Sequence, residues 1–167
     1  MKADKIQKDI LKDLIKGEAR KVNNTYLIKE YKNDKTVYVS NTYWLVIIPK
    51  DRYYLSLDEE FLKGISNQCS ININDNLNTL IPKSLEDFKQ VHIRSQRIEG
   101  QGKHKKTITK LSNDDGLEIY ANADYLKLFE DWATFYGNGA KNPIIVKEED
   151  NIVGLISPIR VPEENKF

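Results

Sequence analysis

The chain has 167 residues, a net charge of +1, 40% hydrophobic and 31% charged side chains, enough to bury a core without help from a disulfide or a metal. The near-neutral balance excludes a global pull toward nucleic acid or membrane, so any electrostatic function must come from local clusters. Cys69 is the only cysteine, which excludes an internal disulfide and a cysteine-rich zinc site. With no signal-peptide pattern and no apolar run near ~18 residues, a cytoplasmic protein is expected.

The first element is a helix, "MKADKIQKDILKDLIKG". Ile6, Ile10, Leu11, Leu14 and Ile15 fall within one apolar arc at about 100° per residue, and Gly17 is the expected stop. Lys5, Lys8, Lys12 and Lys16 form a ladder on the opposite side. Such a ladder is read either as a solvated face or as a row of charges facing phosphates.

A strand-rich stretch follows. "TYLIKEY", "KTVYVS", "YWLVII" and "RYYLSL" are β-branched and aromatic, and predict an antiparallel meander over Thr25–Leu57. Asn33-Asp34 and Pro49-Lys50-Asp51 mark turns. "DEEFLKGI" from Asp58 predicts a short helix with acidic residues at its start.

In the middle, "CSININ" and "FKQVHIRSQRI" alternate like strands, with Val91 and Ile93 on one face and His92 and Arg94 on the other. The glycine- and lysine-rich "EGQGKHKKT" joins the second of these to "TITKL". From Lys89 to Lys110 there are seven Lys or Arg against one Glu. The economical reading is a hairpin with a basic tip, in which Arg94, Arg97, Lys103, Lys105 and Lys106 grip a phosphate backbone or simply keep an edge soluble.

The final third is the most regular. "GLEIYA" alternates with Leu117, Ile119 and Ala121 on one face, and Asn122 is a natural N-cap for "NADYLKLFEDW". Tyr125, Leu128, Phe129 and Trp132 then share one helical side. "ATFYGNG" predicts a short strand into a Gly-Asn-Gly turn, and "NPIIVKEEDNIVGLISPIRV" a hairpin turning at Glu-Glu-Asp-Asn. Pro162 to Phe167 reads as a polar tail.

Catalytic and metal-binding patterns are missing. His92 and His104 are the only histidines, no helical His/Glu pair accompanies them, and no phosphate-cradling glycine loop or serine elbow is present. The carboxylates of Asp114-Asp115 and Glu148-Glu149-Asp150 sit in turns, His104 lies in a charged loop, and Cys69 reads as a small core residue. A non-enzymatic protein without cofactor or metal is expected.

The closing order of strand, helix, short strand and hairpin resembles the second half of a DNA sliding-clamp domain of the bacterial polymerase III beta type. Asn122, Tyr125 and Leu126 match that family's Asn-x-x-Tyr-Leu helix start. Leu155, Ile156, Ser157, Pro158, Ile159, Arg160 and Val161 align with its terminal Met-Pro-x-Arg-Leu strand. The similarity is specific over about 116–161 and topological elsewhere.

The resemblance implies an α+β fold: one clamp-like domain over 1–161, with two helices packed on a mainly antiparallel sheet. Its half-repeats would span about 3–57 and 116–161, with a basic hairpin insertion over about 67–111 and a tail at 162–167. It implies a replication accessory that binds double-stranded DNA without reading sequence, through Lys5, Lys8, Lys12 and Lys16 and the basic hairpin. A groove walled by Leu155, Ile156, Pro158, Ile159, Arg160 and Val161 would capture polymerase or clamp-loader-type proteins through apolar anchors. One domain per chain implies a homo-oligomer or another partner to complete a ring, and no membrane is involved.

Several residues depart from the family. Ser157 stands at the usual methionine, Asp124, Glu130 and Asp131 make the second helix acidic, and six residues follow Val161. The richness in Lys, Ile, Asn and Tyr suits an AT-rich phage or mobile element. The rival reading is therefore a small phage-type protein that mimics a clamp domain and sequesters a host protein.

Overall fold

The computed structural model describes the backbone of residues 1–20, 24–30, 35–41, 43–55, 69–73, 77–102 and 105–167, and the side chains of these except 13–20, 24–30, 69–73 and 77–78. The expected turn at Asn33-Asp34 and the expected helix from Asp58 lie outside the described residues. The fold is α+β, divided into two compact units: Lys2–Ile81, and Pro82–Phe167 together with Met1. That division falls within the stretch expected as a hairpin insertion.

In the N-terminal unit, Ala3–Arg20 forms helix α1. Ala3, Ile6, Gln7 and Ile10 are buried, while Asp4, Lys5, Lys8 and Lys12 are exposed, so the apolar arc and the lysine ladder take opposite sides. The helix does not stop at Gly17. One internal glycine costs only about 1 kcal/mol, and the flanking Lys16, Glu18, Ala19 and Arg20 favour helix.

Strands β1 (Asn24–Glu30), β2 (Thr36–Ser40) and β3 (Trp44–Pro49) form the expected antiparallel meander. β4 (Cys69–Ile73) lies parallel to β1, with Asn24 opposite Cys69 and Ile28 opposite Ile73. The unit's sheet order is β4-β1-β2-β3, and α1 lies against β1 and β4.

The expected strand at Arg52–Leu57 is absent from its described part. Lys50–Arg52 makes one 3-10 turn, and Tyr53–Leu55 follows without sheet pairing. The reason lies in the helix: the N–H groups of Tyr54 and Leu55 donate to Gln7 Oε1, at 2.8 and 3.3 Å, and so are not available to a neighbouring strand.

The C-terminal unit is an antiparallel sheet. β5 (Lys89–Glu99), β6 (Lys106–Ser112), β7 (Glu118–Asn122), β8 (Thr134–Gly137), β9 (Ile144–Glu148) and β10 (Asn151–Ile156) stand in the order β10-β9-β8-β5-β6-β7. β5 and β6 pair as a hairpin, and both are also joined to the rest of the sheet, β5 to β8 and β6 to β7. The core comprises Val91, Ile108, Leu111, Ile119, Ala121, Phe129, Phe135, Ile144, Ile145, Val146, Leu155 and Ile156.

A bulge interrupts β5. The register passes from Ile93 opposite Leu111 to Ser95 opposite Lys110, leaving Arg94 as the extra residue. Because side chains alternate with a period of two, this extra residue resets the faces. Val91 and Ile93 share a face before the bulge, and Gln96 and Ile98 take it afterwards. Ile93 is 48% and Ile98 66% exposed, against 1% for Val91.

Asn122 does cap a helix, its Oδ1 accepting from the Asp124 N–H at 2.9 Å. That helix, α2, is only Ala123–Leu126, not the longer segment expected to reach Trp132. Leu128 and Phe129 continue it with tighter bonds to Tyr125 and Leu126. The Glu130 N–H then donates to Glu148 Oε1 at 3.0 Å rather than to a helix carbonyl. The apolar side of the expected helix is split accordingly: Leu126 and Phe129 are buried, while Trp132 is 65% exposed.

β9 and β10 turn through Glu149-Asp150, with Glu148 opposite Asn151. Glu149 has φ of 54°, the one positive value at a non-glycine position among the described residues. β10 ends at Ile156, so Ser157–Val161 is not strand. There the Ile159 N–H donates to the Tyr120 carbonyl of β7 at 2.7 Å.

Candidate binding surfaces

Three surfaces carry the residues singled out by the sequence. The first is α1. Lys5 and Lys8 are exposed and make no ion pair among the described residues, and Lys12 reaches Asp9 at 3.9 Å. A pair as exposed as that contributes little. Asp4 lies among these lysines and is exposed as well. The side chain of Lys16 is outside the described residues.

The second is the β5–β6 hairpin, where the run of positive charge meets carboxylates distant in sequence. Arg94 pairs with Asp114 at 2.8 Å and Lys89 with Asp115 at 2.8 Å, both from the turn between β6 and β7. The hydrogen bond from Lys89 lowers the Asp115 carboxyl below its ordinary value. Arg97 pairs with Glu99 at 2.5 Å, and Lys106 lies 4.0 Å from the same carboxylate.

Lys110 bonds Glu118 at 2.6 Å. This contact raises the lysine and lowers the carboxyl, against the desolvation of each. Lys105 is exposed and has no partner among the described residues, while Lys103 and His104 lie outside them. The local sequence could not show these pairings, because the acidic partners of Arg94 and Lys89 lie 20 and 26 residues downstream.

The third surface follows β10. Leu155 and Ile156 are buried in the sheet. Pro158, Ile159 and Val161 are half-buried and Arg160 is exposed, so these four provide the accessible part of the segment. The bond from Ile159 to Tyr120 sets this segment beside β7.

Other chemistry is sparse. An open depression is lined by Lys89, Gln90, His92, Asn113, Asp114 and Asp115, with both of its carboxylates already paired. Among the described residues no group of three or more His, Cys, Asp or Glu side chains could hold a metal ion. No helix among them is long and apolar enough to cross a membrane. The acidic residues noted after α2 have their own role: Glu130 and Glu148 receive the Met1 ammonium, Glu130 at 3.4 Å.

No protein family, curated protein or solved structure matches the chain.

Proposed function

We propose that this protein is a non-enzymatic replication accessory of sliding-clamp type, acting chiefly by capturing protein partners at the segment after β10. The carrying observation is that the chain leaves the sheet after Ile156 and holds Pro158, Ile159 and Val161 half-exposed beside β7. Apolar side chains on a preset backbone bind a short peptide with little ordering cost. The order β7-α2-β8-β9-β10 and the cap at Asn122 support the resemblance on which this reading rests.

The test is Ile159→Ala combined with Val161→Ala. Capture of a labelled clamp-binding peptide, followed by fluorescence anisotropy, is expected to weaken at least ~30-fold, as loss of two apolar anchors implies. The circular dichroism spectrum should be unchanged, since neither side chain is fully buried. Undiminished capture by the folded variant rejects the assignment.

A second reading, DNA binding by α1, is favoured by the exposed Lys5 and Lys8, which make no ion pair among the described residues. Changing Lys5, Lys8, Lys12 and Lys16 together to Glu should remove duplex retention at low salt. The parent chain should lose affinity with salt at a log–log slope of about −0.9 per phosphate contact. Equal retention by parent and variant rules out this helix. Peptide capture without any DNA retention selects the clamp-mimic alternative, in which the protein sequesters a replication factor.

A further inference from the structure

Pro162–Phe167, a polar tail by composition, ends on an aromatic seat. The Phe167 ring lies 5.4 Å from the Tyr120 ring, tilted by 56°. The Arg97 guanidinium lies 4.4 Å from the centre of the same phenylalanine ring. The Tyr120 hydroxyl donates to the Phe167 carbonyl at 3.4 Å. Tyr120 is only 3% exposed.

Strand register puts Arg97, Lys110 and Tyr120 on one face of β5, β6 and β7: Arg97 stands opposite Ile108, and Lys110 opposite Tyr120. Arg97 is held by Glu99 and Lys110 by Glu118, so the seat is built by its own neighbours and not by the tail.

The strap leading to Phe167 is built differently. Glu163–Asn165 is a single 3-10 turn with no buried residue, and Pro162 through Lys166 are all exposed. Its internal ion pair joins Lys166 to Glu163 at 2.6 Å. The tail is thus held at its aromatic tip, and a contact of that kind contributes modestly at a partly exposed site. A ligand with the same chemistry can therefore replace it.

We infer that the Arg97–Tyr120 seat is a docking surface for an aromatic side chain of a partner protein, and that Pro162–Phe167 is its resident occupant. The tail shows which ligand the seat accepts: a phenylalanine ring that lies against Tyr120 with the Arg97 guanidinium over it. By occupying the seat, it also lowers the apparent affinity for the partner in proportion to the time it spends bound.

The probe is a fluorescein-labelled peptide of the Pro162–Phe167 sequence, titrated into the full chain and followed by anisotropy. Phe167→Ala, which empties the seat, is expected to bind it about tenfold more tightly than the parent chain. Adding Arg97→Gln should weaken that binding about fivefold, and a probe with alanine in place of its phenylalanine should not bind. Equal binding by the parent and Phe167→Ala, or indifference to Arg97, overturns the proposal.

If Phe167→Ala does not fold, Phe167→Leu keeps the bulk without the aromatic face and reads the same competition. The seat uses the Tyr120 side chain, whereas the Pro158–Val161 segment is held by the Tyr120 carbonyl. Ile159→Ala with Val161→Ala should leave probe binding to the Phe167→Ala chain intact, so either proposal can fail alone.

Discussion

Replacing Gln7 with leucine should destabilise the N-terminal unit by about 3–5 kcal/mol, although the change makes a helix face more apolar. Gln7 is fully buried. Its Nε2 donates to the Ala3 and Arg52 carbonyls at 3.3 and 2.9 Å, and its Oε1 accepts from Tyr54 and Leu55. Leucine has similar bulk but no polar atoms, so it strands the Arg52 carbonyl and two N–H groups, each at about 1–3 kcal/mol.

Denaturant unfolding in a Trp132→Phe background reads this effect cleanly. It leaves Trp44, 7% exposed and in the same unit as Gln7, as the sole tryptophan reporter. Gln7→Glu provides a second comparison. It keeps an acceptor for Tyr54 and Leu55 but loses the donor to Arg52 and buries a charge, so it should be destabilised near neutral pH and partly recover as acid neutralises it. An unfolding midpoint for Gln7→Leu equal to the parent's contradicts this account.

Gly137→Ala should cost about 2 kcal/mol at a position whose backbone needs no glycine. Gly137 ends β8 opposite Lys89. A Cβ there would overlap Cδ1 of Ile119 and come within 3.7 Å of a Leu117 methyl. Ile119 is fully buried, so its methyl cannot turn away without displacing core neighbours, and overpacking of this kind costs about 1–3 kcal/mol.

Ile119→Val removes the clashing methyl at a cost of about 1 kcal/mol by itself. In combination with Gly137→Ala it should recover about 1 kcal/mol relative to the sum of the single changes. Strict additivity, or a neutral Gly137→Ala, shows that the close approach of β8 to Ile119 is not as described.

The two predictions also mark where local pattern stops being informative. Gln7 is an ordinary helix former in a charged segment, and nothing near it in sequence announces a buried amide. Apart from Ala3, its hydrogen-bond partners are 45 to 48 residues away. Tyr53–Leu55 has the composition of a strand, yet the N–H groups of Tyr54 and Leu55 are taken by that amide. Gly137 reads as part of a Gly-Asn-Gly turn, whereas its constraint comes from a side chain on β7.

What the sequence by itself determined is the set of elements and their faces. β-branched, aromatic and partly alternating stretches mark β1 to β3 and β5 to β7 to within a residue or two, whereas β10 ends five residues before the strand expected through Val161. The 3.6-residue spacing separates Ile6 and Ile10 from Lys5, Lys8 and Lys12, and Asn122 caps its helix. These features are local: they depend on which side chain follows which, and on backbone preferences that act over a few residues.

Tertiary structure decided how charges and ends are used. The basic run from Lys89 to Lys110 became a set of ion pairs because the β6–β7 turn and β7 bring Asp114, Asp115 and Glu118 to it. α2 ended at Leu126, followed by an N–H at Glu130 that Glu148 takes. β4 joined β1 in parallel, a pairing with no local signal. Phe167, the last residue of a polar tail, found Tyr120 and Arg97. Each outcome depends on partners far apart in sequence, which become neighbours only once the sheets have formed.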